Sequence, residues 1–124
     1  MRVNGLDHVN ISTTDIASSV RYYTELFNLQ ARNVPAAIAP DQAQWLYDNA
    51  GHAIIHLVKR DETSRSTGPL HHVALSCTGK DDMLARLRAR GAEFSVHEAS
   101  ANFTQIFTRD PHGVLLELNF STTD

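Results

Sequence analysis

The 124-residue chain has a single cysteine, so no disulfide can form within it. It has no apolar run near the eighteen or so residues that a membrane span needs, and a membrane partner is not expected. Its first residues, MRVNGLDHV, lack the apolar core and small-residue cleavage site of a secretory signal. With the lone thiol, this predicts a reducing, cytoplasmic location. An excess of basic charge is also missing: the formal net charge is −3 at pH 7, and the arginines and lysines are scattered without interleaved aromatics. Such a surface offers no broad attraction for phosphate backbones, which argues against nucleic acid as a partner. What remains is ordinary globular composition, 42% hydrophobic and 20% charged, at a length that suits one domain.

Against these absences stand seven histidines and an internal echo. LDHVNIS at residues 6 to 12 returns as LHHVALS at 70 to 76, laying Leu6 on Leu70, His8 on His72, Val9 on Val73 and Ser12 on Ser76. The echo continues beyond the strand. After the first copy, Thr14 or Asp15 can cap a helix in which Ile16, Val20, Tyr23 and Phe27 form an apolar stripe. After the second, Met83, Leu84 and Leu87 are the apolar positions, and Gly91 is a natural stop.

Each helix is followed by three strand-like runs, LQARNV, AQWLYDN and HAIIHLV, then EFSVH, FTQIFTRD and GVLLELNF. The turns DNAGH and DPHG close the last hairpin of each half, with Gly51 and Gly113 at the positions that need backbone freedom. The expected fold is therefore α+β: two βαβββ modules, about residues 1–60 and 69–121, forming a cupped mixed sheet in a single 124-residue domain. The polar stretch KRDETSRSTGP joins the halves.

Side chains alternate faces along a strand, which turns the repeat into geometry. Val9 and Ile11 pack on the helix and leave His8, Asn10 and Ser12 on the other face; Val73 and Leu75 likewise leave His72, Ala74 and Ser76. His71 falls on the helix side and is the weaker candidate. The last strand of each module holds one polar residue among apolar neighbours, His56 in AIIHLV and Glu117 in LLELNF. A carboxylate between leucines loses several kcal/mol on desolvation unless it is paired, protonated or coordinated. A lone histidine in an apolar strand is ordinarily a hydrogen-bonded core residue, but four such groups at repeat-equivalent places ask for a shared reason. His8, His56, His72 and Glu117 make a donor set for a divalent metal ion, with nickel, zinc, iron and manganese all compatible. Cys77 reads as a small buried hydrophobe, and Trp45 as a core aromatic that could also wall a substrate pocket.

LDHVNISTTDIASSVRYYTELFNL, WLYDNAGHAIIHLV, LHHVALSC and FTRDPHGVLLELNF, in that order, resemble the vicinal oxygen chelate superfamily, which includes glyoxalase I, methylmalonyl-CoA epimerase, extradiol dioxygenases and fosfomycin-resistance enzymes. The resemblance covers almost the whole chain. It implies metal ligation by His8, His72 and Glu117, with His56 where some members carry a fourth ligand, so that His56 either completes the coordination shell or acts as an acid–base group. His56 and Glu117 are the candidate catalytic residues, and Asn10, Trp45 and Phe107 the candidate substrate-pocket residues. Two departures bear on the reaction: Phe107 stands where extradiol and fosfomycin enzymes commonly have tyrosine, and Ser12 where bacterial glyoxalase I usually has arginine. The resemblance thus implies a metal-dependent enzyme on a small organic substrate, glyoxalase-like lyase or isomerase or extradiol-type dioxygenase, working as a homodimer. The alternative is a non-catalytic, drug-sequestering binder of the bleomycin-resistance type, because fold membership does not choose the reaction.

Overall fold

The computed structural model describes residues 1–32, 39–64 and 66–122, and the chain divides into two compact units, Met1–Thr63 and Ser64–Asp124. Each unit has the element order strand, helix and three strands. In the first these are β1 (Val9–Thr13), α1 (Ile16–Phe27), β2 (Gln30–Arg32), β3 (Ala43–Tyr47) and β4 (Ala53–Lys59). The second has β5 (Val73–Cys77), α2 (Lys80–Ala89), β6 (Phe94–Ser100), β7 (Phe103–Arg109) and β8 (Leu115–Ser121). The strands form two four-stranded mixed sheets, in the orders β1-β4-β3-β2 and β5-β8-β7-β6, as the repeat requires. Asn33 and Val34, at the end of the predicted run LQARNV, lie outside the described residues.

The first strand of each unit lies parallel to the last, with Val9 opposite Ile55 and Val73 opposite Leu116. A parallel pair needs a long crossover, which the helix and two intervening strands supply. Pairing starts one residue later than the sequence pattern indicated, so His8 and His72 stand just before their strands.

Asp15 caps α1: its carboxylate accepts from the Ser18 N–H at 3.1 Å, satisfying one of the free donors at the helix start. The buried stripe of α1 is rotated from the expected one, for Ile16, Ser19, Tyr22, Tyr23 and Leu26 are buried while Val20 and Phe27 are half-buried. The reason is a polar contact that periodicity cannot weigh. Ser19 Oγ meets Thr13 Oγ1 at 2.8 Å, both groups buried, and this pins the serine edge of the helix against β1. In the second unit Met83 and Leu87 are the buried residues of α2, and Gly91 follows its end with φ of +67°.

The two hairpins repeat one device. Asp48 Oδ1 accepts from the N–H groups of Ala50 (3.0 Å) and His52 (2.8 Å), and Asp110 Oδ1 from those of His112 and Val114, both at 2.9 Å. The first of these networks, led by the His52 N–H, holds the Asp48 carboxyl below its usual range. Gly51 and Gly113 adopt φ of +84° and +90°, where a side chain would strain the turn. No helix among the described residues is long and apolar enough to cross a membrane.

Candidate functional site

Strand register decides which side chains share a face. On β4, Ile55 and Leu57 are almost fully buried, so His56 projects from the opposite side of the sheet. Its neighbours there are Asn10 on β1 and Trp45 on β3, each directly opposite it in the register. Trp45 lies flat on His56, ring centroids 4.0 Å apart and planes parallel, while His8 meets the Trp45 edge at 4.7 Å and the His56 ring at 6.2 Å. The strand-end histidine, the tryptophan and the His56 imidazole thus form one aromatic group on the face away from α1.

The two imidazoles are held differently. His8 Nδ1 lies 2.6 Å from Asp7 Oδ1. A carboxylate only accepts, so this contact places a ring proton on Nδ1, and in the neutral ring Nε2 is then the nitrogen with the lone pair. His56 Nδ1 lies 3.2 Å from the Asn10 amide, and its Nε2 is buried with no hydrogen-bond partner among the described residues. The Asn10 amide governs the rest. Donating its N–H to Nδ1 makes Nε2 the protonated nitrogen; turned over, the amide oxygen accepts from Nδ1–H and Nε2 becomes a lone pair. Burial, followed by the charge of His8, lowers the His56 pKa and favours the neutral ring.

In the second unit Leu116, Leu118 and Phe120 are buried on one face of β8, and Glu117 and Asn119 occupy the other. Glu117 is only 9% exposed. Its Oε2 lies 3.0 Å from His72 Nε2, and its Oε1 accepts from Gln105 Nε2 at 2.7 Å. Phe107 stands directly opposite it on β7 and is half-buried. His72 Nδ1 in turn lies 2.9 Å from His71 Nδ1. The predicted residues therefore come together as His8, Asn10, Trp45 and His56 in one unit, and as His72, Phe107 and Glu117 in the other. Among the described residues no group of three or more histidine, cysteine or carboxylate side chains is gathered to hold a metal ion.

Taken unit by unit, the donor types are ones that divalent cations accept: imidazole nitrogens in the first, and in the second a nearly buried carboxylate facing an imidazole. The unpartnered Nε2 of His56 adds a buried polar atom that an unliganded core would rarely tolerate. Two residues escaped the sequence reading. Gln105 and Asn119 stand opposite one another on the Glu117 face, and only the β7–β8 register reveals it. Their one sequence signal was the polar alternation in FTQIFTRD and LELNF. Cys77 behaves as expected of a half-buried thiol, its pKa pushed up to about 11 by burial.

Comparison with solved structures returns the same fold. A glyoxalase/dioxygenase from Nostoc punctiforme superposes with a TM-score of 0.80 at 16% identity, covering 95% of this chain and 91% of that one. A fosfomycin resistance protein from Listeria monocytogenes gives 0.72 at 17% identity, with 98% and 95% covered. A glyoxylase/bleomycin resistance protein/dioxygenase domain from Frankia sp. EAN1pec gives 0.74 at 23% identity, with 97% and 99% covered. At these identities the likeness is one of fold. No curated protein sequence matches the chain. The sequence model of the Glyoxalase/Bleomycin resistance protein/Dioxygenase superfamily does match, over residues 5–118, a span that takes in both modules and His8, His56, His72 and Glu117, and the chain belongs to that superfamily.

Proposed function

We propose that this protein is a divalent-metal-dependent enzyme that binds a small organic substrate through two adjacent oxygens, as a glyoxalase-type lyase or isomerase or an extradiol-type dioxygenase. His8, His72 and Glu117 are its ligands, and His56 is either the fourth ligand or the acid–base group. The observation that carries this reading is Glu117, a nearly buried carboxylate held against His72 Nε2 at 3.0 Å. Without a cation, the pair can share only a proton, and a carboxylate so desolvated is expensive to keep. A site that trades that proton for a metal ion gives the burial a purpose.

Each side chain then has a defined task. The ion, when bound, supplies Lewis acidity that polarises the substrate oxygens. His8 offers Nε2 because Asp7 holds the proton on Nδ1. His56, kept neutral by burial, gives or takes a proton at Nε2 according to the orientation of Asn10. Trp45 and Phe107, opposite His56 and Glu117 in their sheets, supply apolar walls that keep water from the reacting groups. A homodimer with two equivalent sites completes the proposal, and a light-scattering mass of one chain, 13.8 kDa, would remove that part.

The test is metal content. Protein purified without an affinity tag should carry, or take up in calorimetric titration, one equivalent of nickel, zinc, iron or manganese per chain, and Glu117→Gln should abolish stoichiometric uptake. A wild-type protein that binds none of the four, or a Glu117→Gln variant that retains a full equivalent, would overturn the proposal and leave a metal-free binder of small molecules as the reading. Iron in the purified protein would select the dioxygenase branch; nickel or zinc would select proton transfer.

A further inference from the structure

Gln105 is a neighbour of Glu117 that no motif announces. It sits on β7 directly opposite Asn119, one step along the same face from the Phe107–Glu117 pair, so its side chain reaches Glu117 along the diagonal of the sheet. The assignment of its amide follows from its partner. Carboxylate oxygens only accept, so the group 2.7 Å from Glu117 Oε1 is the amide N–H; Asn119 Oδ1, 3.4 Å from the same nitrogen, lies where the second hydrogen is directed. The contact to Glu117 is a short, charge-assisted hydrogen bond in a part-buried place, among the stronger that a neutral donor makes. It divides the labour between the two carboxylate oxygens. Oε1 is committed to Gln105, and Oε2 is the oxygen that faces His72 Nε2 at 3.0 Å.

We propose that Gln105 is a positioning residue that makes Glu117 a one-oxygen ligand, reserving Oε1 for its own amide so that a coordination position stays free for the substrate. The inference rests on the reading of Glu117 as a metal ligand. A carboxylate without such a tether turns readily and can close on a cation with both oxygens, which would take up a position that chelation of the substrate needs. Partners that orient a ligand in this way are commonly worth about 10–100-fold in metal affinity.

The experiment compares wild type, Gln105→Met, Gln105→Asn and Glu117→Gln, each titrated with zinc. Methionine keeps the volume of the position without an N–H. Asparagine keeps the amide but is one methylene too short to reach Oε1, which guards against a methionine variant that fails to fold. Two quantities are read: zinc affinity by competition with a chelator, and coordination number from the zinc X-ray absorption edge. Both Gln105 variants should bind zinc roughly 10–100-fold more weakly, with one additional carboxylate oxygen in the shell relative to wild type. A merely structural glutamine would leave the coordination number unchanged. If wild type binds zinc and Glu117→Gln does not, yet both Gln105 variants match wild type in affinity and coordination, the role of Gln105 is refuted and the metal site stands. If wild type itself binds no zinc or other divalent ion, the metal site and the role of Gln105 fall together.

Discussion

The repeated hairpin offers a test in which one residue type is removed twice from one kind of turn. Asp110 is buried, 5% exposed, and its Oδ1 accepts two backbone N–H bonds at 2.9 Å, from His112 and Val114. Hydrogen bonds to a charged group contribute about 1.5–3 kcal/mol each, and a backbone N–H left unpaired in a part-buried place forfeits much of that. Alanine removes both acceptors at once. Water can recover some of the loss, so Asp110→Ala should destabilise the protein by about 2–4 kcal/mol, a fall of roughly 8–15 °C in midpoint at this chain length. Asp48 makes the equivalent pair of bonds to Ala50 and His52 from a half-buried position that solvent reaches more easily. Asp48→Ala should therefore cost distinctly less. Asp110→Asn, which keeps one acceptor oxygen without the charge, should fall between wild type and Asp110→Ala. Urea unfolding followed by circular dichroism measures all three variants. The reasoning fails if Asp110→Ala costs under about 1 kcal/mol, or if Asp48→Ala costs as much as Asp110→Ala. Because β7 and β8 carry Gln105, Phe107 and Glu117, the same variant should also weaken the metal uptake proposed for Glu117.

Two predictions concern titrating groups. The His56 pKa is lowered from 6.5 by burial and then by His8, so the unfolded chain takes up that proton before the folded one does. Stability should be unaffected by this residue above about pH 7 and should fall as pH drops through 6.5 towards the lowered value, and the metal-free His56→Gln variant should show a shallower fall; an identical pH profile for the two would count against the burial of this ring. Cys77, held near a pKa of about 11 by burial, should be alkylated by iodoacetamide much more slowly at neutral pH than an unfolded control. Rates equal in native and denatured protein would show that the thiol is not shielded.

The repeat, the order of elements, one end of each helix and the hairpin glycines were legible in the chain, because each depends on local spacing, whereas Asn28 at the end of α1 and Gly79 at the start of α2 were not read. An aspartate two residues before a turn N–H, or apolar residues two apart, states its geometry without reference to anything distant. The face on which His56 and Glu117 lie was legible for the same reason, since alternation along a strand is fixed by the backbone. The rotated stripe of α1 was not. It turns on the contact of Ser19 with Thr13, and periodicity treats a serine as merely polar. Nor could the chain reveal Gln105, whose importance lies in a diagonal reach across the β7–β8 register to Glu117.

By itself, then, the sequence determined what the modules are and which strand residues share a face of each sheet. Tertiary structure alone decided which atoms within each unit meet: the ring of Trp45 laid flat on His56, the Asn10 amide against Nδ1, and the two oxygens of Glu117 given to different partners. The physical reason is that pattern along a chain encodes direction, whereas hydrogen bonds of about 3 Å depend on strand register and side-chain rotamer. Those are set only when residues far apart in sequence are packed side by side.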